Sequence, residues 1–405
     1  MMKNCLLAGI IYSSLLFSCT QEKGHTEDPP FAEPKKDLKF TVEKAPEWTA
    51  MFKRSSGWFG GDGIFAIPFS GVDVAKGTSE ADSVLFVFSD TMLGEIRDGK
   101  LQPGYKMVNN SVAVLKGGDP DDTRMKFLIA DETGSPNAIF TPQTPASKPG
   151  EYYWLGDGFV NQERENSLYI FAYRIQNLDN NSLFPFKEVG NSLLVIPRES
   201  QFPFEEHYQL DIPFFTSSKG DSTHISFGAG VLENTVDAGV PGGDGYVYVY
   251  GVKGDKKKLV AARVQPRAVE NFETWQFWDG VNWSSNPDQM VPVSDSVSNE
   301  LSVVPLANGQ YALIYQYIGI FPDIYMQIGP SPVGPFGPRQ KIYDTRDDIT
   351  DPDLFTYNAK GHPAISKPGE LLISYNVNSF KFFDIIEAKP FLYRPRFFKI
   401  VFDEG

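Results

Sequence analysis

An all-β chain folded as a five-bladed β-propeller is what three observations predict. Five times along 405 residues an apolar strand begins after a small or polar cluster: Gly61-Asp62-Gly63-Ile64-Phe65-Ala66-Ile67, Gly156-Asp157-Gly158-Phe159-Val160, Phe227-Gly228-Ala229-Gly230-Val231-Leu232, Asn299-Glu300-Leu301-Ser302-Val303-Val304 and Gly361-His362-Pro363-Ala364-Ile365. Between these, β-branched and aromatic segments alternate with Gly, Pro and Asn turns. No segment carries the period of a long amphipathic helix.

Anchored on Asp62, Asp157, Ala229, Leu301 and Ala364, the recurrences lie 95, 72, 72 and 63 residues apart. That exceeds the ~40–50 residues of common blade repeats, so each unit needs long loops besides four strands. Small residues suit these starts because the innermost strands of all blades converge on one channel, where bulky side chains would collide. Carboxylates there would converge too. In chain order the other expected strands are Val84 to Ser89, Ser111 to Lys116, Leu168 to Arg174, Ser192 to Pro197, Tyr246 to Val252, Leu259 to Val264, Gln310 to Tyr317, Leu371 to Asn376 and Arg396 to Phe402. Turns at Gly117-Gly118-Asp119-Pro120, Pro241-Gly242-Gly243-Asp244-Gly245 and Asn308-Gly309 punctuate them. About three strands remain after His362, so Leu38 to Val42 is expected to supply the missing one and close the ring, removing two sheet edges.

The N-terminus reads as an export segment. Lys3, the apolar run Leu6 to Phe17 and Leu16-Phe17-Ser18-Cys19 resemble a secretory signal with a lipoprotein box, making residues 1–18 a signal peptide and Cys19 the lipidated first residue. The run is shorter than the ~18–20 apolar residues that span a bilayer, which disfavours a transmembrane anchor. Residues 19–37, polar and Pro-containing, read as a flexible tether, and residues 38–405 as the propeller. The expected location is the bacterial cell envelope, lipid-anchored to the outer membrane and facing the periplasm or the surface. Cys5 and Cys19 are the only cysteines, so thiol catalysis and cysteine-ligated zinc are excluded from the mature domain. The net charge of −14 becomes −15 without Lys3, a surface that repels nucleic acid. A mature domain of about 370 residues remains one unit because a propeller adds blades rather than enlarging one core. A monomer is expected.

Glycosidic cleavage needs two acids on opposite sides of one bond and little else, and the carboxylates at these starts meet that need. Asp62, a short carboxylate between glycines at the inner end of blade one, would activate water or attack an anomeric carbon; a plain turn would use the same three residues. Asp90 follows the strand Val84 to Phe88 and opens a loop, where an Asx turn is the alternative. Asp157 and Glu300 occupy the starts of blades two and four. Asp62 is therefore expected as base or nucleophile, Asp90 or Glu300 as the acid, and Asp157 as a charge that tunes them; the acid's pKa must be raised by burial or a neighbouring charge. Glu233, at the far end of its strand, is less attractive.

Sugar recognition uses aromatic faces and planar polar groups, so Trp58, Trp154, Asn110, Arg263 and Asn376 are candidate substrate contacts, as are the channel histidines His224 and His362. Trp275, Trp278 and Trp283 read equally as an outer blade edge. The acidic loop Asp347-Asp348-Ile349-Thr350-Asp351-Pro352-Asp353 offers oxygens suited to calcium but lacks EF-hand spacing and reads as solvated. No phosphate-binding glycine loop, zinc-spaced histidine pair or Gly-x-Ser-x-Gly turn is present.

Trp58-Phe59-Gly60-Gly61-Asp62-Gly63, Phe86-Val87-Phe88-Ser89-Asp90-Thr91, Asn109-Asn110-Ser111, Tyr357-Asn358-Ala359-Lys360-Gly361-His362-Pro363 and Ser374-Tyr375-Asn376-Val377-Asn378 together resemble the bacterial domain of unknown function 4185 group, which includes arabinan-cleaving endo-D-arabinofuranosidases. The five-bladed shape is also similar to that of glycoside hydrolase family 43. The resemblance implies a glycoside hydrolase acting on a polysaccharide, and raises the standing of Asp90. No cofactor follows from the residues themselves; the family 43 likeness implies calcium as the one candidate cation, a channel histidine helping to hold it. Fold analogy alone does not fix function. A non-catalytic glycan-binding lipoprotein with the same pocket, or a structural surface protein with a plugged one, would use the same chain.

Overall fold

The computed structural model describes residues 38–76, 82–131, 136–179, 185–216 and 224–403. The signal segment, Cys19 and the tether lie outside the described residues. The expected all-β class is observed: among the described residues the only α-helices are Pro46–Met51 and Phe382–Ile385. No helix among them is long and apolar enough to cross a membrane.

Five antiparallel meanders of four, four, five, four and four strands follow one another. They begin with strands Phe65–Pro68, Glu151–Asn161, Ile225–Asn234, Ser302–Pro305 and Leu354–Gly361. These first strands pack in succession, and the turn Pro363–Ile365 after the fifth returns to Phe65–Pro68. The fifth sheet takes its outermost strand from the chain's start: Phe40–Lys44 pairs antiparallel with Arg396–Phe402, Phe40 opposite Phe402. An N-terminal strand thus completes the last sheet, as the sequence predicts, two residues later than expected.

Small residues let neighbouring first strands come close. A Cβ on Gly156 would lie 2.7 Å from the Gly228 carbonyl oxygen, and one on Gly230 2.9 Å from that of Leu301, so neighbouring first strands approach too closely for a side chain. The recurrences, however, do not mark equivalent strand starts. Asp157 and Ala229 sit mid-strand, at register breaks between Leu155 and Gly158 and between Phe227 and Gly230. A third break separates Tyr357 from Lys360, so the fifth counterpart precedes His362 rather than following it. Each break inserts residues unpaired with the second strand and re-aims side chains, the usual work of a bulge.

The first unit is longest because it carries an extra ribbon, Ser56–Gly61 with Thr91–Arg97, to which Lys100–Leu101 and Lys106–Val108 are added. This ribbon holds the segments that flank Asp62 and Asp90. Apolar clusters fill the spaces between neighbouring sheets; Trp58, Phe86, Phe88, Leu372 and Phe397 join the first sheet to the fifth.

Candidate active site

Asp62 and Asp90 are brought together by their own backbones. The Asp62 amide donates to the Asp90 carbonyl (3.2 Å), and the Ser89 amide donates to the Asp62 carbonyl (2.8 Å). Gly63 makes the turn possible: its φ is +66°, and a Cβ there would lie 2.7 Å from Ser89 Oγ. Both aspartates are half-buried. Their surroundings differ. Asp90 Oδ1 accepts from Trp154 Nε1 (2.9 Å) and Asn109 Nδ2 (3.1 Å). Asp62 Oδ2 accepts from the Tyr357 hydroxyl (2.5 Å), while Oδ1 is buried without a partner among the described residues.

Burial pushes Asp62 up to about 8, reinforced by the Asp90 carboxylate and by Glu300, against the Tyr357 and Tyr393 hydroxyls. Burial raises Asp90 only to about 6, because the Trp154 and Asn109 donors stabilise its charge. Two carboxyls sharing one site thus differ in proton affinity, the one held by two N–H donors ionising first.

Glu300 lies within the field of Asp62. It is buried and paired with Lys360, itself 1% exposed, whose Nζ also donates to the Ile64 carbonyl (3.1 Å). Burial raises Glu300 while Lys360 pulls it back. Asp157 stands apart from the first two. It is the seventh residue of Glu151–Asn161, not its start, and its carboxylate accepts from the amides of Gly158 (2.8 Å) and Val231 (2.7 Å), tying the second first-strand to the third. With Asp73 and His362 it lines a small cavity.

The proposed sugar contacts divide. Trp154, half-buried beside Asp90, is at the site, with Tyr152 and Phe186 edge-on to its ring. His224 immediately precedes the third first-strand, its Nε2 3.4 Å from Glu188. The assignments of Trp58, Arg263 and His362 are corrected. Trp58 is core, 1% exposed and stacked on Phe127 at 4.5 Å, with no face for a sugar. Arg263 lies on the third strand of its sheet, its guanidinium clamped over Tyr246 (3.9 Å) and Trp283 (4.2 Å). His362 is buried against Ser374 Oγ (2.7 Å) and pushed down to about 3 by burial and Lys360, so it stays neutral. Asn376 is buried with both side-chain polar atoms unpartnered among the described residues.

Asn110 is a brace rather than a sugar contact. Its Nδ2 donates to the carbonyls of Phe140 (2.8 Å) and Tyr153 (3.1 Å), and its Oδ1 accepts from the Phe140 amide (2.9 Å). Asn110→Ala is expected to cost ~2–3 kcal/mol by leaving those buried groups unpaired, read as a lowered urea midpoint; a midpoint equal to wild type would contradict the brace.

Four residues at the site carried no assigned role in the sequence: Lys360, Tyr357, Tyr393 and Asn109. A lysine inside a first strand of small residues was the available signal for the first; Tyr393 arrives from a C-terminal loop with none. Glu188 Oε1 accepts from Ser226 Oγ (2.6 Å) and Asn191 Nδ2 (2.9 Å).

Among the described residues no group of three or more His, Cys, Asp or Glu is arranged to hold a metal ion. The acidic loop is engaged otherwise: Asp348 with Lys44 and Tyr375, Asp351 with Lys389, and Asp353 with Lys381.

Away from Asp62 and Asp90, burial pushes Asp157 to about 8, Asp73 to about 7 and Glu233 to about 8, the last reinforced by Glu163, Asp73 and Asp237. Such groups are protonated in the folded chain where the unfolded chain is already ionised, so stability is fullest near pH 4 and is lost as pH rises towards 8. The melting temperature is expected to fall between pH 5 and pH 8. Glu233→Gln should flatten the slope; a melting temperature that rises over this interval would contradict the account.

No curated protein matches the chain by sequence. Among solved structures, a Bacteroides ovatus protein named as a candidate hydrolase is similar with TM-score 0.65 at 20% identity, over 90% of this chain and 93% of that one; this likeness speaks for the fold. An α-L-arabinofuranosidase of Podospora anserina, solved with cellotriose, gives TM-score 0.42 at 12% identity over 91% of this chain and 98% of its own. An exo-β-1,3-galactanase of Phanerochaete chrysosporium, solved with galactose, gives 0.45 at 10% over 90% and 64%. The family model described as "Domain of unknown function (DUF5005)" matches residues 46–402, and the chain belongs to that family.

Proposed function

We propose that this protein is a glycoside hydrolase built as a five-bladed β-propeller, its five sheets being the blades, and that it cleaves an extracellular polysaccharide. The observation that carries the reading is the Asp62 and Asp90 pair: backbone-linked, half-buried carboxyls of unequal proton affinity, flanked by Trp154 and Tyr357. Cleavage needs one carboxylic acid and one carboxylate at the same bond.

Asp62, the higher of the two, gives its proton to the glycosidic oxygen as the bond from the anomeric carbon breaks. Asp90, held ionised by two N–H donors, removes a proton from the attacking water or attacks the anomeric carbon itself; the anomer of the first product, read by NMR, distinguishes these. This exchanges the roles expected from sequence, because the donors sit on Asp90 rather than on Asp62. Glu300 is held as a charge by Lys360 and sustains the high proton affinity of Asp62, a part foreseen for Asp157.

An arabinofuranose-containing polymer is the first substrate to try, following the resemblance of the sequence motifs to the 4185 group; the family model that matches is a different one. We further assign the chain to the cell envelope as a monomer anchored through a lipid on Cys19; metabolic labelling with a fatty acid, lost in Cys19→Ala, tests the anchor. The experiment for the function is product release from arabinans, galactans and other furanose-containing polysaccharides. A wild-type chain that binds a glycan yet releases nothing would instead be a binding lipoprotein.

A further inference from the structure

We infer that an aromatic ledge on the rim of the candidate site, formed by Phe355, Phe380 and Phe383, grips a neutral glycan chain beyond the sugar held at Asp62 and Asp90. The inference rests on the hydrolase reading above and adds where the rest of the polymer lies.

The ledge is continuous with the acids. Tyr357, whose hydroxyl donates to Asp62, has its ring centroid 5.6 Å from that of Phe355. Phe355 stacks on Phe380 at 4.5 Å and 25°. Phe380 is 51% exposed and Phe383 64% exposed. Phe382, adjoining Phe383, packs on Tyr393 (4.9 Å), a hydroxyl that bears on Asp62. The neighbouring sheet extends the surface: Gln316 Nε2 donates to the Phe321 carbonyl (2.6 Å) and to Thr356 Oγ1 (2.7 Å), the residue between Phe355 and Tyr357, and Phe321 is 48% exposed.

Large apolar rings grouped at a surface mark a binding site rather than chance exposure. A sugar ring offers C–H faces to stack on the aromatic planes while its hydroxyls stay solvated or reach polar neighbours. The charge selects among occupants. Lys381, between Phe380 and Phe383, is paired with Asp353 (2.9 Å) and also feels Asp384, so the ledge carries no excess of positive charge; in a chain of net charge −14 this disfavours an anionic lipid surface and leaves a neutral polyol unopposed.

The test is affinity electrophoresis of the full chain in gels cast with linear arabinan or linear galactan, with the corresponding trisaccharides as competitors. The Phe380→Ala/Phe383→Ala chain is expected to bind the retarding polymer about tenfold more weakly and to raise KM for it while kcat holds. Phe380→Trp should retain most of the affinity, and Val281→Ala, far along the chain and exposed, should match wild type. Retarded wild type with an equally retarded double variant of unchanged melting temperature would overturn the ledge and leave the hydrolase reading standing. A double variant whose loss appears instead in self-association by sedimentation would make the patch a contact between copies, also overturning it. Wild type that neither binds nor cuts either polymer would remove the hydrolase reading and the ledge together.

Discussion

Asp62→Asn is expected to lower product release by about 10³-fold, ~4 kcal/mol of barrier, with the fold intact. The substitution preserves size, and the amide oxygen can still accept from the Tyr357 hydroxyl that now meets Asp62. What it removes is the acidic proton. An amide cannot protonate a leaving oxygen, and among the described residues Glu300, the other carboxyl within the field of Asp62, is engaged by Lys360. The pH profile carries the sharper form of the prediction. With Asp90 titrating at about 6 and Asp62 at about 8, activity should rise through the first value and fall through the second. Stability should move the other way in the variant. Wild-type Asp62 loses folded-state preference as pH rises towards 8, because its folded affinity for the proton exceeds the unfolded one; the amide has no such loss, so Asp62→Asn should melt higher than wild type at pH 8 and nearly alike at pH 4. An Asp62→Asn chain that keeps more than about a tenth of wild-type turnover would place the proton donor elsewhere.

What the sequence reveals of this site follows from what residue type can and cannot encode. Strands such as Ser111–Lys116 and Arg396–Phe402 agree with expectation to the residue, because β-branched and aromatic runs bounded by turn residues report a local preference. That Asp62 and Asp90 lie together was legible for a similar reason, one set between glycines and one at a strand's end. Trp58, Asn110 and Arg263 were misread because a tryptophan, an amide or a guanidinium has the same chemistry inside a sheet stack as on a rim, and only tertiary packing decides which. The bulges were invisible: a single unpaired residue flips the face on which later side chains emerge, which is why Asp157 is found tying two strands rather than beside Asp62. The proposed exchange of acid and base roles has the same root, since Trp154 and Asn109 reach Asp90 from other segments.

Lys360→Met is expected to destabilise the protein by ~3–5 kcal/mol at pH 7, the largest single effect on folding predicted here. Lys360 and Glu300 are both buried, and the lysine also satisfies the Ile64 carbonyl and lies 4.3 Å from the centroid of the Phe65 ring. Methionine replaces the stem but not the charge, so Glu300 is left desolvated with no counter-ion. Its proton affinity, raised by burial and restrained now by Lys360, must then climb further. The sign of the pH dependence follows. Where Glu300 takes up a proton the buried charge disappears, so the defect should shrink at pH 5 and grow towards pH 8, visible as diverging urea midpoints of variant and wild type. The double replacement Lys360→Met/Glu300→Gln separates the pair from the packing: it removes both charges and should recover most of the lost stability, because an uncharged isostere pair at a buried site is often no worse than the ion pair it replaces. It should not recover activity fully, because Asp62 loses the neighbouring carboxylate that helps raise its proton affinity, and the descending limb of the pH profile should move to lower pH. A single variant costing under ~1 kcal/mol, or a double variant no more stable than the single, would mean that Lys360 acts through its stem rather than its charge.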